Sequence, residues 1–225
     1  MCGRYTFIGY EETIREQFQI REIGEWLRRY LPRYNIAPTQ EAPVVLASAP
    51  DRLECLRWGL VPSWAKDPSG AARLINARGE TVAEKPAFRA AFRRRRCLVL
   101  ADGYYEWCRT GTAKQPVRIV PKAPGRVWAF AGIWEEKGLP TGEVLRTFAV
   151  ITTEPNQPLR AVHDRMPVIL DREAQAAWLN AAAEPAALQR LLVPCADDEV
   201  NWYPVSTRVN SPRNDDAGCI EPLSA

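Results

Sequence analysis

Helical spacing of apolar side chains occurs toward the two ends of this sequence and once near residue 90, and the rest of the long middle reads as short apolar bursts punctuated by Pro and Gly. Over residues 10–31, Ile14 and Phe18 stand four apart, and Trp26, Leu27 and Tyr30 form a second stripe. This predicts helix over the segment, interrupted or divided at Gly24. From residue 34 the period changes: 44–47 and 53–58 read as strands, followed by a loop around Pro62, Lys66, Pro68 and Gly70. Pro86 in a first helical turn, with Phe88 and Phe92 four apart, predicts a short helix ahead of the apolar run 97–101, a buried strand. Asp102-Gly103 is a turn signal, so 104–107 is expected as the far arm of a hairpin. Strand character recurs at 117–120, 127–134, 145–152 and 167–170, and helices are expected over 172–180 and 185–193.

Many short strands without regular βαβ alternation predict an α+β fold: one domain over 1–225, built on a mainly antiparallel, barrel-like β-sheet with flanking helices. Hydrophobic residues make up 46% and charged residues 25%, a folded balance rather than a disordered one. No run approaches the roughly 18–20 apolar residues of a membrane helix, and MCGRYTFIGYEE lacks the apolar centre of a secretory signal, so a cytoplasmic location is expected. The cysteines Cys2, Cys55, Cys97, Cys108, Cys195 and Cys219 are scattered and are expected to be reduced thiols. A net charge of +3 says little about partners. Its distribution says more, with arginines clustered at 28, 29, 33 and 93–96 and acids at 197–199.

Candidate chemistry starts at Met1-Cys2. A small second residue permits removal of the initiator methionine, which leaves an amine and a thiol on adjacent carbons. An α-amine of pKa about 8 is partly neutral near pH 7 and condenses with an aldehyde to an imine; a thiol of pKa about 8.5 then closes onto the imine carbon as a thiazolidine. Taken alone, Cys2 reads more readily as a small side chain without chemistry. An aldehyde trap also needs groups that move protons. The one histidine, His163 in AVHDRMPVIL, either packs structurally or transfers protons at a strand entrance; neighbouring side chains usually point apart, so Asp164 is not expected to orient it. Glu106, among Tyr104, Tyr105 and Trp107, either carries a raised pKa or faces solvent. Asn76 in LINARGET suits either a sugar hydroxyl or a turn. Arg4, Arg78, Arg89, Arg93, Arg94, Arg95, Arg96, Arg160 and Arg165 are phosphate-binding candidates, and Trp58, Trp64 and Trp107 candidate stacking surfaces, against the plainer roles of solvated face and core. No CxxC, HExxH, acidic calcium loop or GxxxxGK[ST] is present, so no metal, nucleotide or other cofactor is expected.

In order along the chain stand MCGRY, RYNIAPTQ, WGLVPSWA, LINARGET, CLVLADGYYEW, FAGIWE, ITTEPN, HDRMPVIL and, near the end, PVSTRVNSPRND. This ordered set closely resembles the SRAP family, the SOS-response-associated abasic-site processing proteins, over nearly the whole chain. The resemblance implies a single SRAP-type domain in which Cys2, once Met1 is removed, attacks the ring-opened deoxyribose aldehyde of an abasic site. The product is a stable thiazolidine DNA-protein crosslink that shields the lesion. It also implies that Asn76 holds the sugar or the N-terminus, that Glu106 manages the amine proton, and that His163 assists ring opening and proton transfer. The implied partner is bent single-stranded DNA, bound by a monomer of bacterial type that is nucleoid-associated when on DNA, with no metal and no membrane. Arg4, Arg78, Trp107 and Arg165 are the best matches to the family's DNA channel, with Asn35, Pro38 and Thr152 as further positions. The sequence departs from the pattern from Ala65 to Arg73, which leaves the strand-splitting wedge unassigned. Three rivals remain: a thiol peptidase with Cys2 as nucleophile, His163 as base and Glu106 as orienter, acting also on Met1; a Schiff-base lyase using only the Cys2 amine; and a plain single-strand binding module.

Overall fold

Unbroken apolar runs such as CLVLA and WAFAGIW can be buried on both faces only where a sheet is covered on both sides, and here the sheet that holds them curls until it meets itself. The computed structural model describes residues 2–9, 11–65, 74–110 and 113–223. Met1 and residues 66–73, which include most of the divergent stretch, lie outside the described residues. The first half contains β1 (Tyr5–Phe7), α1 (Glu11–Phe18), β2 (Glu22–Ile23), α2 (Trp26–Tyr30), β3 (Arg33–Ile36), β4 (Glu41–Leu46), β5 (Ala49–Trp58), β6 (Asn76–Arg78), α3 (Arg89–Arg94), β7 (Arg96–Ala101) and β8 (Gly103–Thr110). The second half adds β9 (Ala113–Pro121), β10 (Trp128–Gly138), β11 (Val144–Thr153), β12 (Met166–Pro167), β13 (Ile169–Leu170), α4 (Arg172–Leu179), α5 (Pro185–Arg190) and β14 (Val200–Pro204).

β5, β4, β7, β10 and β11 pair antiparallel in that order, and β11 returns to β5 in parallel, with Phe148 opposite Trp58, closing a five-stranded barrel. A second antiparallel sheet runs β14-β9-β8-β1-β3. One core joins the two sheets. Tyr5 of β1 meets Trp58 edge-on at 5.1 Å, and Tyr104 of β8 meets Phe130 of β10 at 6.0 Å. Gly132 explains the glycine of FAGIWE: a Cβ there would lie 2.7 Å from Cys97 Sγ and 2.8 Å from Val99 Cγ2, so β10 and β7 approach too closely for any side chain.

The result is the expected α+β architecture, with three local differences. β7 and β8 do not pair, because β8 lies between β1 and β9. Asp102 therefore makes a corner between the barrel and the second sheet, where its carboxylate accepts from Thr6 Oγ1, the Ile8 N–H and Arg118 Nη2. The 167–170 segment splits, β12 pairing with β11 and β13 with β10. The 10–31 segment is helical only in α1 and α2; between them β2 pairs in parallel with β5.

Two candidates from the sequence turn out to be core. Arg96 is buried, and its guanidinium donates to the carbonyls of Phe92, Arg93, Trp178 and Asn180, satisfying the C-terminal ends of α3 and α4. Trp58 is fully buried, stacked on Phe148, with its indole N–H on the Ile75 carbonyl.

Candidate functional site

Four short pieces of backbone meet at one end of β11. On one of its edges β6 pairs with Asn76 opposite Val150 and Arg78 opposite Thr152; on the other, β12 pairs with Met166 opposite Thr153, just after His163 and Arg165. The N-terminal residues enter beside β8, where the Tyr105 N–H donates to the Arg4 carbonyl (2.9 Å) and Tyr5 lies opposite Tyr104. Continued by two residues, this register brings the lead-in to β1 alongside Glu106.

Strand alternation decides where Glu106 points. Tyr104 and Cys108 pack with the main core, whereas Tyr105 and Trp107 face a small cluster containing Val205 and Val209. Glu106 shares the parity of Tyr104 and its side chain is only 3% exposed. Burial pushes its carboxyl up to about 7. Cys2 is fully buried, and burial, reinforced by the nearby Glu106 charge, raises its thiol well above the ordinary range. The Asn76 side-chain amide donates to the Cys2 carbonyl at 2.8 Å, fixing that residue's backbone.

His163 Nε2 lies 3.8 Å from Glu106 Oε2. Burial lowers the imidazole pKa, which favours the neutral ring. Its Nδ1 accepts the Arg165 backbone N–H at 3.0 Å, and Asp164 Oδ1 stands 2.8 Å from the same nitrogen. Asp164 comes this close because the chain bends there, so neighbouring side chains do not alternate as in a strand. Cys2, Asn76, Glu106 and His163 thus converge: a backbone-anchored aminothiol precursor, a carboxyl titrating near neutrality and a neutral imidazole.

The family profile described as SOS response associated peptidase (SRAP) matches residues 1–212. The chain belongs to the SRAP family. It is 43% identical over 227 residues to a Bacillus subtilis protein named abasic site processing protein YoqW, covering 98% of this chain and 99% of that one. It is 38% identical over 240 residues to the abasic site processing protein HMCES of Gallus gallus, covering 90% of this chain and 70% of the relative. A crystal structure of a Bacteroides thetaiotaomicron protein superposes with a TM-score of 0.89 at 26% identity, over 99% of this chain and 100% of the other.

Around its centre the SRAP chain sorts the remaining candidates. Arg78 is exposed at the end of β6 and Arg160 is exposed near the His163 turn. Arg165 is largely covered, donating through Nη1 and Nη2 to the two carboxylate oxygens of Glu80 (2.5 and 2.9 Å) and through Nη2 to the Thr152 carbonyl (2.7 Å). Arg4 Nη1 donates to Asn35 Oδ1 (2.9 Å) and the Val209 carbonyl (2.7 Å). Asn35 is fully buried, its amide spent on the carbonyls of Val209, Ser211 and Asn214, and Thr152 is fully buried too. Both side chains are buried in the frame of the site. Pro38 is half-buried beside Thr39, which has a φ of 75°. Trp107 is half-buried with its indole N–H on Asn210 Oδ1 (2.7 Å), whereas Trp64 is 67% exposed. Arg89, Arg93 and Arg94 are exposed on or beside α3, and Arg95 pairs with Glu135 at 2.7 Å. Sequence reasoning missed Glu80 and Asp215. Glu80 lies inside the LINARGET motif, but its partner is 85 residues away. Among the described residues no cluster of three or more potential ligands gathers for a metal ion.

Proposed function

We propose that this SRAP chain, acting as one domain over residues 1–225 and as a monomer, processes abasic sites in single-stranded DNA by forming a covalent thiazolidine crosslink through Cys2 after Met1 is removed. The observation that carries this reading is the buried meeting of Cys2 with Asn76, Glu106 and His163. Relatives named as abasic site processing proteins support the substrate.

The abasic sugar must first open from hemiacetal to aldehyde, which moves a proton from the anomeric hydroxyl to the ring oxygen. His163 donates its Nε2 proton to the ring oxygen while the Glu106 carboxylate takes the proton of the anomeric hydroxyl and passes it on to Nε2, which restores both groups. The Glu106 carboxylate takes a proton from the Cys2 ammonium, and the freed amine adds to the aldehyde carbon. The carbinolamine loses its hydroxyl as water, with the proton returned by Glu106 or His163, to give an imine. The thiol, protonated until then because of its burial, adds to the imine carbon, and its proton passes to the nitrogen. The balance is aldehyde plus aminothiol giving thiazolidine plus one water. β-Elimination from the same imine is the competing branch that would cut the strand.

The test mixes protein beginning at Cys2 with a single-stranded oligonucleotide carrying one abasic site, read by denaturing gel and intact mass. A heat-stable adduct at the summed mass less one water is expected. Cys2→Ala should lose it while retaining some strand cleavage, and a residue retained before Cys2 should abolish it. Normal crosslinking by the extended protein overturns the reading; peptide cleavage without an adduct hands the site to the peptidase alternative.

A further inference from the structure

We infer that Glu80 is a positioning residue which, through Arg165, holds His163 in the tautomer that carries its proton on Nε2, facing Glu106. The inference rests on the proposed role of His163 and extends it to a residue outside the reacting group.

The Nδ1 of His163 is contested. The Arg165 backbone N–H donates to it at 3.0 Å and requires a bare nitrogen, whereas Asp164 Oδ1, at 2.8 Å, can only accept and requires Nδ1–H. A neutral ring satisfies one neighbour and not both. What favours the amide is the anchoring of Arg165: a bidentate pair with Glu80 at 2.5 and 2.9 Å, and a bond of 2.7 Å to the Thr152 carbonyl. The Asp164 side chain, by contrast, is 86% exposed and well hydrated. With the amide in place, the protonated Nε2 edge faces Glu106 Oε2, 3.8 Å away, an attractive arrangement. The other tautomer would aim a lone pair at that carboxylate. Glu80 therefore acts on the imidazole as the orienting carboxylate of a catalytic triad does, one residue further removed. The hydrogen bonds from the Arg165 guanidinium lower the Glu80 carboxyl pKa, which keeps that carboxyl ionised across neutral pH.

Glu80 is 53% exposed, and such a pair contributes little to folding, so Glu80→Ala is expected to fold. The chain has one histidine, so an imidazole 15N correlation spectrum reads this ring alone. At neutral pH the Cys2-initiated protein should show the Nε2–H tautomer. Glu80→Ala should shift it toward Nδ1–H, and Glu80→Ala with Asp164→Ala should restore it. In single-turnover crosslinking at saturating protein, Glu80→Ala should slow adduct formation about tenfold, and the double variant should recover most of the loss. Affinity for an oligonucleotide carrying tetrahydrofuran, which has no aldehyde to react, should be unchanged or tighter. An unaltered tautomer in Glu80→Ala overturns the proposal, as does a rate loss that vanishes at saturating protein, which would make Glu80 only a counter-charge to DNA. If the unsubstituted protein forms no adduct, the crosslinking reading fails, while the tautomer shift is still judged by the spectrum.

Discussion

Glu106 carries a functional group that water would solvate far better than the site it occupies. Its side chain is 3% exposed and its carboxyl titrates at about 7, against about 4.3 in an unfolded chain. The folded protein holds this proton more tightly than the unfolded one, so its contribution to stability is full below about pH 4.3 and is lost as pH rises through 7, on the order of 3 kcal/mol in all. Glu106→Gln keeps the shape and removes the titration. It should be more stable than the parent above pH 7 and show a flatter pH dependence of urea midpoint between pH 5 and 8, while crosslinking at least about 100-fold more slowly. Parallel stability profiles for the two proteins would show that the carboxylate is better solvated than its burial implies.

At the scale of elements, the C-terminal segment acts as a clasp. Asp215 accepts the backbone N–H groups of Tyr34 and Asn35 at 2.6 and 2.8 Å and pairs with Arg33, while the carbonyls of Val209, Ser211 and Asn214 hold Asn35. This accounts for the PVSTRVNSPRND motif without any contact to a reacting group. Asp215→Ala leaves two amide donors of β3 without their acceptor and should cost about 2–4 kcal/mol. Hydrogen exchange should then speed up across β3 and residues 205–220 while the barrel strands stay protected; uniform acceleration everywhere would mean that the clasp is inseparable from global folding. The same strands show what local pattern reveals. β4, β5, β7, β9, β10 and β11 were legible because each spans six residues or more and contains a run rich in apolar side chains. β1, β2, β3, β6 and β14 run only two to five residues and carry no period of their own; partners elsewhere in the chain recruit them.

Across the whole molecule, charge on the surface is separable from charge in the frame. Of the arginines the sequence offers, Arg96 caps helices, Arg4 ties β1 to the C-terminal segment, and Arg165 anchors the His163 turn, whereas Arg78 is exposed beside the site. Arg78→Ala should therefore weaken single-strand binding and reduce the slope of log affinity against log salt by about one, with little change in melting temperature. An unchanged slope in a salt titration would remove Arg78 from the interface.

Residue types and local periods are enough to read off the inventory and the class. The aminothiol precursor, the lone imidazole, the motif order and the α+β texture all depend on residue type and local period, which a linear chain displays in full. The rest emerges only on folding: the barrel closes through a parallel β5–β11 pair, β8 leaves β7 to join β1, Asn76 grips Cys2 across 74 residues, and Glu80 reaches Arg165 across 85. Contacts between residues so far apart depend on how elements pack, and packing leaves no mark in the local pattern of either partner.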